Sequence, residues 1–374
     1  MSCSRALARL GRAALAIVAI HFTAGAHAQG QALLGVYYGN QGWKMDQVRA
    51  MEAWQGKKHA VVNLFTDWCY RTKTLDNLFK QQLPNIWANG NVPVVSWEPY
   101  LCSPTATPND VEVRAARGDY DAYLHAWADR MKAFVSGPDG SLGTEDDRRV
   151  YIRLAHEMNG DWYPWGAAVG GDSASAYVLM WQRVRTIFWQ KGLDASAVQW
   201  IWAVNHEDVG MARAEDYYPG DAYVDWIGID GYNWGASQSW SSWRTPEEVF
   251  APMVERLRGF TIAASKPLAL TETASTSATP GKVDVAAKSQ WITQLFTYAT
   301  ASTTGARMIV WFNEDKEADW AVFGGANGDE TYRSGRTSYK AYASYRAAVR
   351  ASDLLSTGTA DPRLMADMFF AGLW

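Results

Sequence analysis

Cysteine is scarce in this chain, with three residues among 374. Cys3 belongs to a leading segment, which leaves Cys69 and Cys102, too few for a fold built on disulfides. An even pair in an exported protein suggests one disulfide; two separate thiols are the alternative. Excess positive charge is missing as well. The formal net charge is −4, so there is no basic surplus for a phosphate backbone, and nucleic acid is not an expected partner. Long apolar runs are absent too, so no membrane association is expected beyond the leader. Several short motifs are lacking, and each lack removes a class. No G-x-G-x-x-G or P-loop follows a strand-like run, against nucleotide binding. No G-x-S-x-G elbow supports an α/β-hydrolase-type esterase. No H-E-x-x-H exists either: the fourth residue after Glu157 is Asp161, so a zinc-protease helix is excluded. Acids among the glycines of 137–147 do not have EF-hand spacing and read as a solvated turn. No metal and no cofactor is expected.

What is present begins with a leader. Arg5, Arg9 and Arg12 precede an apolar run over 13–20, and Ala26-His27-Ala28 is an A-x-A cleavage signal. That order is the anatomy of a secretory signal peptide over 1–28, and it predicts a secreted or periplasmic protein, which is expected to be a monomer. Residues 29–356 read as one domain, with no linker or low-complexity break. A tail over 357–374, carrying Met368-Phe369-Phe370, is expected to fold back on it.

Eight β-branched or aromatic runs punctuate the domain, over 33–39, 60–68, 92–100, 150–159, 198–206, 224–233, 267–275 and 307–316. Continuous apolar character is what strands buried on both faces require, as in parallel sheets. Helical patterns lie between several of them, over 120–134, 177–191, 245–260 and 286–300, and a final helix is expected over 337–355. Thr245-Pro246-Glu247-Glu248 is a good helix start, with a capping hydroxyl, Pro in the first turn and two acids. Eight strand–helix units predict an α/β fold of the (β/α)8 TIM-barrel type, a doubly wound sheet being the competitor.

The chain holds 20 Trp against 12 Phe and 11 Met. Indole is costly to bury because its N–H needs a partner, so the excess points to a cleft that stacks flat apolar faces such as pyranose rings. In a TIM barrel the chemistry sits where the strands end. Those ends carry Tyr37-Tyr38, Asp67-Trp68, Trp97-Glu98, His156-Glu157 with Asn159, Asn205-His206, Asp230 with Tyr232, Glu272, and Trp311 with Asn313-Glu314. Carboxylates, aromatics and amides on one rim suit a sugar site, which needs stacking faces, hydroxyl-binding groups and two carboxyls. Glu157 and Glu272 follow apolar runs four and seven, which lie across a barrel mouth from each other, so they are the expected catalytic pair. Glu98, Asp67, Asp230 and Glu314 are then left to hydrogen-bond substrate or form structural ion pairs.

The stretch 153–166, RLAHEMNGDWYPWG, resembles the acid/base signature of glycoside hydrolase family 26. Tyr218-Pro219-Gly220-Asp221 and the run Asp225-Trp226-Ile227-Gly228-Ile229-Asp230-Gly231-Tyr232 resemble that family's sixth-strand region. The resemblance implies a retaining endo-β-glycanase acting on a polysaccharide, β-1,4-mannan first, with mixed-linkage β-1,3-1,4-glucan or an exopolysaccharide as alternatives. It makes Glu157 the general acid/base and Glu272 the nucleophile. It implies that His156 hydrogen-bonds near the nucleophile or a sugar 2-hydroxyl, and that Tyr232 and Arg153 orient Glu272. By the same resemblance Trp162 and Trp311 stack on sugars, and Asn205, with Trp165, His206 and Trp234 behind it, contacts substrate. A non-catalytic carbohydrate-binding barrel competes with this reading, but it has no need of both glutamates.

Overall fold

The eight apolar runs form strands because each must bury two faces, one toward a barrel interior and one toward helices. They are β1 Ala32–Tyr37, β2 Val61–Asp67, β3 Val92–Glu98, β4 Val150–Leu154, β5 Val198–Asn205, β6 Trp226–Asn233, β7 Leu268–Ser275 and β8 Ala306–Phe312. Neighbours pair in parallel and in sequence order, and β1 pairs with β8, Val36 opposite Trp311, which closes the barrel. This computed structural model describes residues 31–171, 173–210, 212–260, 265–351, 355–356 and 365–374. The segment over 1–28 read as a signal peptide and the tail stretch 357–364 lie outside the described residues.

Helices Asp121–Val135, Ala174–Gln190, Pro246–Gly259 and Val285–Thr300 fall where their patterns predict. Thr245 caps the third by accepting from the Glu248 N–H while Glu248 reaches back to the Thr245 N–H. After β5 the described residues of the connection hold a single 3-10 turn, Ala214–Tyr217. The final helix is shorter than expected. Glu330–Ser334 and Thr337–Ala341 pair antiparallel as a hairpin turning at Gly335, which sits at φ 59°, and among the described residues of the span only Ala343–Ala351 is helical. Alternating exposure across 330–341 suits a two-stranded ribbon better than a helix.

The lower barrel interior is apolar, filled by Leu33, Val61, Val94, Tyr151, Ile201, Trp226, Met308 and Val310. Beneath it Phe370 is buried against Tyr151, whose hydroxyl donates to the Phe370 carbonyl (2.9 Å). Arg149 donates to the Met365 carbonyl, so residues 365–374 cover the N-terminal end of the barrel. The tryptophan excess has a different use from the one expected. Eleven of the 20 are less than 2% exposed, and most pack between strands and helices, as in the Trp97–Trp127 stack at 4.0 Å. Wide rings fill the gap between barrel and helix layer, at the expense of several buried indole N–H groups that find no acceptor, among them those of Trp127, Trp200 and Trp202.

Candidate active site

Above the apolar layer the interior turns polar. Arg153, on β4, is fully buried, and its guanidinium is the hub of the rim. Its Nη1 donates to Asp230 Oδ2 (2.6 Å), its Nη2 to Glu272 Oε1, and both Nε and Nη2 to Ser96 Oγ (2.9 and 2.7 Å). The Phe65 ring lies 5.4 Å from the guanidinium carbon. Strands β3, β4, β6 and β7 are therefore tied at one point. A buried guanidinium with this many acceptors stays charged.

Glu272 reaches the hub because β7 is irregular. Ile229 faces Leu270, yet the next residue of β6, Asp230, faces Glu272, so β7 carries one extra residue. The bulge turns both Thr271 and Glu272 toward Asp230 and Arg153, and Thr271 donates to Asp230 Oδ1 (2.6 Å). Tyr232, two residues beyond Asp230, donates to the other oxygen of Glu272. Burial and the Glu272 charge push the Asp230 carboxyl up, with Arg153 pulling against them.

Glu157 lies three residues past the end of β4, later than a strand end. Its backbone adopts φ 54°, and Ala155 adopts φ 45°, a left-handed region that non-glycine residues seldom occupy. Neighbouring strands hold this segment. The Ala155 N–H donates to the Trp97 carbonyl and the Glu157 N–H to the Ala203 carbonyl, while Tyr177 and Trp165 donate to the carbonyls of Ala155 and His156. The strained turn sets Glu157, a residue 9% exposed, at the mouth, with Trp162 Nε1 donating to Oε2 (2.8 Å). Gly160 lets that indole lie across the backbone: a Cβ there would stand 2.5 Å from the ring. Burial first, then the charges of Asp230 and Glu272, push Glu157 well above the carboxylate range.

His156 is buried, its Nε2 3.1 Å from the Tyr163 hydroxyl and 4.0 Å from Glu272 Oε1. Burial and the Arg153 charge hold its pKa well below the usual histidine value, so the ring is neutral. His156, Asp230 and Glu272 offer ligand atoms within 4.8 Å of one another, but Arg153 already bonds both carboxyls, which makes this an ion-pair cluster and a poor seat for a second cation. Glu98, at the end of β3, is pushed up to about 7, mainly by burial.

Arg153, His156, Glu157, Trp162, Tyr232 and Glu272 thus converge. Two expected residues do not join them. Trp311 is fully buried on the outer face of β8, its ring 6.0 Å from Trp291 and 5.6 Å from Tyr345, and its N–H donates to the Trp320 carbonyl. Strand alternation aims Phe312, not Trp311, at the mouth. Asn205 is spent on its own loop: Nδ2 donates to the Glu207 carbonyl (2.6 Å) and Oδ1 meets His206 Nδ1 (3.1 Å). Trp165 is likewise buried, and His206 packs beside Arg244 and Glu207. Sequence reasoning missed Ser96, Tyr163 and Trp320. Ser96 has no signal, whereas Tyr163 lies inside the quoted signature. Trp320 packs 5.1 Å from Tyr232 and follows Asp319, which Thr276, Ser277 and Asn327 hold. Cys69 and Cys102 form a disulfide that joins the loops after β2 and β3. No helix among the described residues is long and apolar enough to cross a membrane.

Residues 37–257 match the sequence profile of Glycosyl hydrolase family 26. Endoglucanase H of Acetivibrio thermocellus is 30% identical over 324 residues, spanning 85% of this chain and 30% of that protein. A mannan endo-1,4-beta-mannosidase of Bacillus subtilis is 26% identical over 171 residues, 43% of this chain and 46% of its own length. The match therefore spans less than half the length of either relative. Among solved structures, the catalytic domain of a Bacillus sp. JAMB-750 endo-beta-1,4-mannanase superposes with a TM-score of 0.61 at 18% identity, covering 90% of both chains. The Bacillus subtilis mannanase BCman gives 0.59 at 18% identity and covers 88% of each. Likeness at that identity speaks for the shared barrel.

Proposed function

The chain belongs to glycosyl hydrolase family 26, and from that premise we propose that it is an exported, retaining endo-β-glycanase that cleaves β-1,4-mannan by double displacement. The observation that carries the reading is the unequal treatment of two carboxyls at one mouth. Glu157 is held well above the carboxylate range, as a proton donor needs, while Glu272 receives a guanidinium and a phenol that fix its two oxygens. Glu272 attacks the anomeric carbon as Glu157 protonates the departing oxygen. The covalent ester removes the Glu272 charge, one of the causes that raise Glu157, so Glu157 falls and takes a proton from the incoming water. Water attacks the face the leaving group vacated, and configuration is retained. Trp162, half-exposed beside Glu157, offers a stacking face next to the cleaved bond.

Mannan stands first because a mannan endo-1,4-beta-mannosidase is among the relatives. A β-glucan is the second reading, favoured by the endoglucanase that aligns over 85% of this chain. Export rests on the leader read over 1–28. Reducing-sugar release from mannan, lichenan, xylan and β-1,3-glucan tests the proposal. Wild type should cleave at least one polymer with retention at the new reducing end. Inversion, or equal activity in Glu157→Ala and Glu272→Ala, would defeat it.

A further inference from the structure

Each catalytic-site carboxyl has an aromatic group attached to it. From Glu157 the half-exposed Trp162 leads inward, meeting Tyr163 at 6.4 Å, which stacks on the buried Trp165. From Glu272 a run of rings is continuous. Tyr232 bonds the carboxyl and packs 5.1 Å from Trp320, Trp320 meets Trp234 edge-on at 4.7 Å, and Trp234 meets Trp240 at 5.2 Å. Trp320 is buried and Trp234 half-buried, yet Trp240 is 70% exposed, the most exposed of the large apolar side chains described. A single exposed apolar ring is ordinary on a protein surface, so the exposure alone says little. The loop beneath it says more.

The loop over 234–244 is tied on both sides of Trp240. Gly235, at φ 49°, presses on the Ala278 carbonyl so closely that a Cβ would stand 2.3 Å from it. Its N–H donates to Asn233 Oδ1, the Ala236 N–H to the Ala278 carbonyl, and Ser241 Oγ to the Gly235 carbonyl. The Arg244 N–H returns to Asn233 Oδ1, and Trp291 donates to the Arg244 carbonyl. A loop so bound holds a wide apolar face at a fixed place in water, where the ring gains little packing. Fixed, exposed and continuous with the ring that orients the nucleophile, it suits the C–H face of a sugar.

We infer that Trp240, braced by Trp234, is an outer stacking platform for the polysaccharide, at least one sugar beyond those held at Glu157 and Glu272. The inference rests on the glycanase reading for its ligand. A platform outside the cleavage point serves only chains long enough to reach it. Binding there is felt in KM for the polymer, while a short oligosaccharide is indifferent to it.

Trp240→Ala and Trp240→Phe should be compared with wild type on the polymer that wild type cleaves best and on the shortest oligosaccharide of that linkage it still cleaves. For Trp240→Ala the expected result is a fall of about tenfold in kcat/KM on polymer, carried by KM, with the oligosaccharide within about twofold. Trp240→Phe should recover most of the loss. Equal change on both substrates, or none on either, would overturn the platform. A binding arm separates this from the hydrolase reading. In native gels containing mannan, lichenan, xylan or β-1,3-glucan, Glu157→Ala should be retarded by at least one polymer, and Glu157→Ala/Trp240→Ala less so. Retardation lost with Trp240 in a protein that cleaves nothing keeps the platform and sinks the hydrolase. Retardation identical in the two variants sinks the platform and leaves the hydrolase standing, and retardation by no polymer sinks it as well.

Discussion

Glu52 and Glu157 are the same side chain at the same exposure, 9% each, at opposite ends of the barrel. Glu52, on helix Asp46–Gln55, lies where β2 and β3 begin. It accepts from Lys58 Nζ (3.3 Å), the His59 N–H (3.0 Å), Asn89 Nδ2 (3.3 Å) and Asn91 Nδ2 (2.9 Å). Burial pushes its pKa up, but the donors around His59 and Asn91 overcome it and bring the group down to about 2. Glu157 has one indole donor and two acidic neighbours, and it is driven the other way. Depth of burial does not decide the sign; the count and charge of partners do. The N-terminal rim spends its polar groups on satisfying one another, which is what stability needs. The C-terminal rim leaves a negative charge on Glu157 poorly accommodated, so its proton is held ready for transfer, which is what catalysis needs.

The widest test of that division is truncation at the upper rim. Glu157→Ala and Glu272→Ala should each lose activity by about 10³-fold or more, while the thermal midpoint of Glu157→Ala stays near wild type or rises. A small activity loss with a large stability loss would place both glutamates in the structural class with Glu52. Next in size is the pH profile. Glu157 must hold its proton, and its pKa is raised, so kcat/KM should fall only as pH climbs past the ordinary carboxylate range. On a substrate with an activated aryl leaving group, Glu157→Gln should flatten that limb. A limb that persists unchanged assigns it to another group.

At the lower rim the expected effect is on stability alone. The folded pKa of Glu52 lies below its unfolded value of 4.5, so its contribution is present above about 4.5 and is lost as pH falls toward about 2. That difference corresponds to on the order of 3 kcal/mol. Glu52→Gln should therefore lower the unfolding free energy at pH 7 with kcat/KM unchanged, and the gap from wild type should narrow below pH 4.5. Urea titrations at pH 7 and pH 3 read both. A smaller change in stability is expected from Trp311→Phe, which should cost about 1–2 kcal/mol and leave kcat/KM within about twofold. A KM effect as large as that of Trp162→Ala would show that Trp311 meets substrate after all.

Much of this molecule is legible in one dimension. Eight doubly buried strands demand continuous apolar runs, so the barrel, its strand order and the helix over 246–259 could be read from spacing, Thr245 and Pro246. The convergence of His156, Glu157, Tyr232 and Glu272 follows once strand ends are taken to share a rim. The hairpin after β8 escaped because a short ribbon has too few residues to outvote a helical pattern beside it. Trp311 was misplaced by strand parity, for one residue decides whether a ring faces the mouth or the helices, and composition carries no parity. The tryptophan count likewise names an amount of indole and no location.

Sequence by itself determined the strand number and pointed to Glu157 and Glu272 on one rim, since these rest on local periodicity and on a contiguous signature. Tertiary structure alone decided their unlike chemistry. An extra residue in β7 swings Glu272 onto Arg153, and a left-handed turn holds Glu157 apart with one donor, so the two carboxyls meet different partners, most of them far away along the chain. Electrostatic environment is a sum over neighbours in space, and only folding chooses them.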